Sequence, residues 1–216
     1  MKQLILYDLD GTLVDTLADI AEATNHMLRT LHAAPIPAET IRRFVGRGVH
    51  ELVAECLQTD EVQKIEEGVA VYRAYYAQHL LDQSRLYPGA TALLDHFASR
   101  TQAVVTNKPN PFSRQILEAL GVAHYFVEII AGNSAYPRKP DPASVHALMA
   151  TAHVRPHDTV LVGDSQIDID TGRSAGVITV AVTHGLTDEA ELVDAKPDLL
   201  VRNFTELLDV AVQRKW

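Results

Sequence analysis

Cysteine is almost missing from the chain. Cys56 stands alone, which excludes an internal disulfide or a cysteine-rich zinc site and predicts a reducing, cytoplasmic setting. Long apolar runs are missing too. None approaches the roughly 18 residues of a membrane span, and no charged leader with an apolar segment stands before the first strand, so a soluble, unsecreted protein without membrane contact is expected. Positive charge is scarce: 19 Lys and Arg against 28 Asp and Glu leave a net charge of -9. That field repels nucleic acid and anionic lipid, so no nucleic-acid partner is expected, and a phosphate-bearing ligand would need local cations. There are ten histidines, but none sits in a His-Glu-x-x-His pattern, and Pro156 interrupts the pair His153 and His157. A histidine metal site is therefore not expected.

What is present begins with the run Leu4-Ile5-Leu6-Tyr7, followed by Asp8-Leu9-Asp10-Gly11-Thr12. An uninterrupted apolar run reads as a strand buried on both faces of a parallel sheet, and alternation puts Asp8 and Asp10 on one side at its carboxyl end. From Thr16 to about Asp82 the pattern turns helical. Thr16 with Asp19 resembles a capping box, Pro35 and Pro37 close the first helix, and further helices are predicted over 38–45, 49–57 and 61–81. The stripe Tyr72, Tyr75, Tyr76 and His79 on the last of these reads as a packing face. Asp15 reads as a helix-start residue.

Beyond Pro88, helices alternate with short β-branched strands predicted over 102–106, 127–131, 159–163, 177–182 and 198–201. Asn110 reads as a helix N-cap ahead of Pro111, and Ser165 as the cap of a helix running to about Ala175. The expected fold is α/β: a Rossmann-like parallel sheet with helices on both faces, formed by residues 1–15 and 83–216 and carrying an inserted α-helical cap, residues 16–82. At 216 residues, one domain with such an insertion is of ordinary size.

All the strand ends lie on one edge of such a sheet, where open α/β folds bind ligands. They offer Asp8 and Asp10, then Thr106-Asn107-Lys108, then Lys139-Pro140, then Gly163-Asp164-Ser165 with Asp168. Carboxylates gathered there repel one another by about 4 kcal/mol per pair at 4 Å and an effective dielectric near 20. A cation must sit among them, and an all-oxygen donor set points to Mg²⁺. The Thr106 hydroxyl suits a phosphate oxygen, and Lys139 can offset a nucleophilic carboxylate. Taken singly, each has a plainer reading: Thr106-Asn107 as a turn, Lys139 as a surface lysine, Ser165 with Asp168 as a capping box. Four consecutive strand ends carrying the right residue types argue against the plain readings together. Asp170 is set aside because two residues beyond Asp168 on a helix it points about 200° away. Gly46-Arg47-Gly48 in the insert is a turn able to approach a ligand closely.

These segments, in this order, resemble the four motifs of the haloacid dehalogenase superfamily, and the insert resembles the helical cap placed between its first two motifs. The dehalogenases lack the second aspartate of the first motif, so Asp10 implies phosphoryl transfer. The resemblance implies that Asp8 is the nucleophile and Asp10 the acid and base. It implies that Mg²⁺ is held by the Asp8 carboxylate, the Asp10 backbone carbonyl and Asp164, with Asp168 as a further or outer ligand. Thr106 and Lys139 would hold the phosphoryl oxygens, and Asn107, Gly46 and Arg47 complete the expected substrate-binding set. The opening motif, the Val45-Gly46-Arg47-Gly48 turn and Thr106-Asn107-Lys108 look most like the bacterial phosphoglycolate phosphatases. The expected partner is thus a small phosphorylated metabolite, handled by a monomer or homodimer. A pyrophosphatase or a sugar phosphomutase of the same superfamily remains an alternative, and a phospho-accepting signalling domain a remote one. The serine-arginine pair usual in β-phosphoglucomutases is absent, and Lys64 is the only insert lysine available for a Schiff base.

Overall fold

The computed structural model describes residues 2–216. Leu4–Tyr7 forms β1, every residue of which is buried. It pairs in parallel with β4 (Thr101–Val105) on one side and β6 (Thr159–Gly163) on the other. β5 (Glu128–Ile130) lies outside β4, while β7 (Ile178–Val182) and β8 (Leu199–Val201) extend the sheet beyond β6, giving the order β5-β4-β1-β6-β7-β8. The chain steps outward from β1 to β5 and then crosses back to β6, so the topological switch point lies at β1, where such sheets open a ligand crevice.

Alternation along β1 divides the core as two-sided burial requires. Ile5 and Tyr7 join the larger apolar cluster with Leu94, Phe97 and Phe204, whereas Leu4 and Leu6 face Val145, Leu148 and Met149. Helices α5 (Ala90–His96) and α10 (Phe204–Arg214) thus cover one face, and α7 (Ala143–Ala152) covers the other. α6 (Phe112–Ala119), α8 (Gln166–Ala175) and α9 (Glu189–Ala195) complete the crossovers. The parallel Rossmann-like sheet is as the sequence predicts. Among the described residues, no helix is long and apolar enough to cross a membrane.

The insert comprises α1 (Leu17–Thr30), α2 (Ala38–Arg42), α3 (Val49–Leu57) and α4 (Val62–Tyr76). α1 turns Ile20, Ala23, Met27 and Leu28 inward at helical spacing and packs against α4. α4 is shorter than the predicted 61–81. The amides of Gln78 and His79 bond three residues back, to Tyr75 and Tyr76, which tightens the last turn and lets Leu80 reach the core.

Two short strands that the sequence does not announce, β2 (Val14–Asp15) and β3 (Arg85–Leu86), form an antiparallel ribbon at the two crossings between insert and sheet. Asp15 therefore belongs to a strand, paired with Arg85 at 3.1 Å, and not to a helix start. The Thr16–Asp19 capping box is absent as well. Thr16 Oγ1 donates to Asp10 Oδ1 at 2.7 Å, and Asp19 accepts from the Gln83 and Ser84 amides and the Ser84 hydroxyl. Tertiary partners outcompeted the local cap. Asn110 is likewise no N-cap: Pro111 holds that position, while Asn110 exchanges hydrogen bonds with Asn133.

Candidate active site

β1 delivers Asp8 to the carboxyl edge, where its amide still bonds the Val162 carbonyl of β6 at 2.9 Å. The chain then turns tightly, with the Leu9 carbonyl accepting from the amides of Thr12, Leu13 and Val14. Gly11 occupies a φ of +81°, and a Cβ there would lie 2.2 Å from Asp164 Oδ2, so only glycine fits. The turn aims Thr12 at the neighbouring strand end, where its hydroxyl donates to Asp164 Oδ1 at 2.7 Å.

Lys139 lies at the centre. It is buried, with Nζ 2.8 Å from Asp8 Oδ1 and 2.6 Å from Asp168 Oδ1. Asp168 Oδ2 accepts from the amide and hydroxyl of Ser165, whose side chain caps α8 in return. The capping-box reading of Asp168 holds, and the same carboxylate also meets Lys139. Asp164 accepts from Thr12 and, through Oδ2, from the Leu186 amide at 2.7 Å.

Burial raises the Asp8 carboxyl to about 6, with Lys139 opposing the shift and Asp168 and Asp10 adding to it. Asp164 is raised to about 8 by burial and by its neighbours Asp168 and Asp8, against the hydrogen bonds from Leu186 and Thr12. Burial works against the charge on Lys139, yet Asp168 and Asp8 outweigh it and hold the ammonium above its usual range. One ammonium thus leaves three carboxylates under-compensated. Oxygens of Asp8, Asp164 and Asp168 all lie within 4.8 Å of one another. This donor set fits a hard divalent cation, and the raised Asp8 and Asp164 are the groups such an ion would keep ionised. Asp168 has both oxygens engaged by Lys139 and Ser165, so it braces the cluster from outside.

Asp10 stands apart. Lys108 Nζ lies 3.0 Å and 3.2 Å from its two oxygens, and Thr16 supplies a third hydrogen bond. Lys108 and Thr16, which hold Asp10, were not among the candidate site residues read from the sequence. Lys108 directly follows Thr106-Asn107, but where its long side chain turns depends on Asp10 and on the Tyr76 ring, 4.6 Å below Nζ. Tyr72 and Tyr76, expected only to pack, line the same cavity, whereas Tyr75 stacks with His26 and His79 elsewhere.

Asp8 and Asp10 border two spaces. The inner one, about 50 Å³, is walled by Ile20, Leu52, Phe112 and the two tyrosines, and it also touches Thr106 and Lys108. The outer one, about 300 Å³, opens past Asp164, Ser165, Arg42 and Asp188. Thr106 is buried at this edge, its Oγ1 accepting from the Lys108 amide at 3.2 Å. Asn107, expected at a phosphate, has its carboxamide committed elsewhere. It accepts from the Lys139 amide and donates to the carbonyls of Lys139 and Gly46, tying the lysine loop to the insert. Gly46 lines both spaces. Arg47, expected near substrate, is exposed over a third depression that it lines with Glu51, Arg138, Lys139 and Gln166. Asp170, set aside from sequence, pairs with Arg173 on the outside of α8.

A sequence model of the haloacid dehalogenase-like hydrolases matches residues 5–182. The phosphoglycolate phosphatase of Vibrio parahaemolyticus is 33% identical over 217 residues, covering 96% of this chain and 95% of the relative. That of Haemophilus influenzae strain Rd is 33% identical over 218 residues, with 96% and 97% covered. Among solved structures, a predicted phosphoglycolate phosphatase from Haemophilus somnus superposes with a TM-score of 0.92 at 30% identity, over 97% of this chain and 98% of that one.

Proposed function

Because the chain belongs to the haloacid dehalogenase-like hydrolases, we propose that it is a Mg²⁺-dependent phosphatase of small phosphate monoesters, with 2-phosphoglycolate as its substrate. The observation that carries this reading is the separation of two carboxylates. Asp8 sits in the lysine and carboxylate cluster, while Asp10, two residues on, is held by Lys108 and Thr16 against a small cavity. Phosphoryl transfer through an enzyme carboxylate needs one group to attack and another to manage the proton.

In this mechanism an Asp8 oxygen attacks phosphorus in line, and the bond from phosphorus to the ester oxygen breaks. Asp10 gives its proton to that oxygen as the alcohol leaves. Asp10 then takes a proton from the water that attacks the aspartyl phosphate, and inorganic phosphate departs, leaving Asp8 as it began. Lys139 neutralises Asp8 before attack and faces the phosphoryl oxygens during it, and the Thr106 hydroxyl donates to another of those oxygens. The carboxylates of Asp8 and Asp164, with the Asp10 carbonyl, would hold Mg²⁺, and Asp168 keeps Lys139 in register beside them. When bound, the ion supplies positive charge to the phosphoryl oxygens and keeps the clustered carboxylates ionised.

The relatives named phosphoglycolate phosphatase support the choice of substrate. So does the inner cavity, since about 50 Å³ suits a short leaving group better than the sugar a phosphomutase must hold. Lys64 is exposed and paired with Glu61, which leaves the insert without a buried lysine for Schiff-base chemistry. The test is phosphate release by purified protein with Mg²⁺ across 2-phosphoglycolate, pyrophosphate and hexose phosphates. Fastest release from 2-phosphoglycolate, abolished by Asp8→Asn, is expected. Isomerisation of a sugar phosphate without net release would overturn the reading.

A further inference from the structure

We infer that Lys108 is the specificity-determining residue of this site and that it recognises an anionic group on the leaving half of the substrate. The inference rests on the phosphatase reading and adds to it the chemistry of the alcohol.

Four charged residues border the inner cavity: Asp8, Asp10, Arg73 and Lys108. Arg73 is exposed, whereas Lys108 is 8% exposed. Lys139 does not border this space. Lys108 is therefore the one buried cation on the side of Asp10 where a leaving group would lie. An ammonium has three protons. Two of the Lys108 protons are directed by the Asp10 oxygens at 3.0 Å and 3.2 Å. The underside of the group rests over the Tyr76 ring at 4.6 Å, which shields it from water and fixes its height. One donor is left for a ligand.

The rest of the cavity shows what that ligand must be. Its walls are largely apolar, and a bare anion cannot enter such a space unless a cation meets it. A neutral alkyl leaving group would leave the third Lys108 proton without an acceptor. The Tyr76 side chain also lines this wall. One unused ammonium donor beside a largely apolar space fits a carboxylate acceptor. The spacing is short as well. Lys108 is in direct contact with Asp10, so an anion held by Lys108 and an ester oxygen facing Asp10 belong to neighbouring parts of one molecule. The class that fits is a phosphomonoester whose alcohol carries an acidic group on the adjacent carbon. In this arrangement binding the acid group also sets the ester oxygen against Asp10, so recognition and orientation come from one contact.

Isobutyl phosphate matches 2-phosphoglycolate in shape, with two methyl groups in place of the two carboxylate oxygens. The readout is the ratio of kcat/KM for 2-phosphoglycolate to that for isobutyl phosphate, measured with Mg²⁺ for wild type, Lys108→Met, Lys108→Gln and Lys108→Arg. Both substrates should be turned over more slowly by the neutral variants, because Asp10 loses a partner. The ratio should also fall by about tenfold or more in Met and Gln, the size expected for one charge-assisted hydrogen bond, and Arg should restore most of it. Thermal unfolding of each variant shows whether it folds, and the pair of neutral variants guards against one that does not. An unchanged ratio in folded Met and Gln variants would overturn the inference while leaving the phosphatase reading intact. No phosphate release from either ester by the wild type would instead overturn the phosphatase reading itself.

Discussion

Asp8 and Asp10 are two residues apart in sequence and occupy different electrostatic worlds. Asp8 shares a buried cluster with Lys139, Asp164 and Asp168, whereas Asp10 shares a cavity wall with Lys108. Substituting Asp10→Asn should therefore spare binding and lower kcat for alkyl phosphates by about 10²- to 10⁴-fold, the usual loss when an acid-base group is removed. The loss should be smaller for p-nitrophenyl phosphate, whose leaving phenolate needs no proton, and steady-state kinetics on the two esters checks this. The cluster also makes a pH prediction. The folded-state values of Asp8, about 6, and Asp164, about 8, lie above the ordinary carboxylate value of 3.8. The metal-free native state thus binds more protons than the unfolded chain. The stability these groups contribute is complete below pH ~4 and is lost as pH rises through 6 and 8. Thermal unfolding in chelator should show Tm falling over that range. Added Mg²⁺ should raise Tm most near pH 8, where it no longer competes with protons.

Much of the site was legible at this scale. Asp8 and Asp164 directly follow apolar strands and Lys139 and Asp168 stand in the segments after them, which parallel topology brings to one edge. Lys108, Thr16 and Thr12 could not be placed in this way. Their side chains act across turns or between strands, and only the folded chain decides which acceptor each one meets. The partners of Asn107 were hidden for the same reason: its carboxamide bonds backbone groups of Lys139 and Gly46, one of them 61 residues away.

At the scale of elements, the insert is tied down where it crosses the sheet edge. Asp19 on α1 is buried and accepts from the Gln83 amide, the Ser84 amide and the Ser84 hydroxyl, pinning the second crossing beside the first. Removing that carboxylate by Asp19→Ala leaves several buried donors unpaired and should destabilise the protein by about 3 kcal/mol, measured by urea unfolding. Sequence pattern suggested a helix cap for Asp19 because capping boxes are local and countable, while a partner 64 residues on is not. On the opposite rim, Arg42 of α2 pairs with Asp188 beyond β7, across the mouth of the outer space. Both side chains are partly exposed, 19% and 61%, so the link is worth no more than about 1 kcal/mol. Arg42→Ala should raise KM several-fold with little change in kcat, because closure is weakened while the reacting groups stay in place. An equal fall in kcat would argue against this role. The ribbon of β2 and β3 escaped sequence reading because two-residue strands carry no periodicity.

For the whole molecule, the charge of -9 and the cluster of buried carboxylates pose one problem: an anionic protein must accept an anionic substrate. The fold answers locally. Lys139 and Lys108 stand on either side of Asp8 and Asp10, and a divalent cation completes the balance in the proposed enzyme. The parallel sheet with helices on both faces was predictable because alternating strands and helices leave few topologies open. The small size of the inner cavity was not, since it depends on how Phe112 and the buried tyrosines pack against the insert. The central claim is that Asp8 becomes phosphorylated during turnover. Acid quenching of the protein while it hydrolyses 2-phosphoglycolate with Mg²⁺, followed by peptide mass spectrometry, tests it most directly. The predicted result is a base-labile phosphoryl group on the peptide containing Asp8, absent from Asp8→Asn. Phosphate release that survives Asp8→Asn, with no phosphoryl group on the protein, would contradict it.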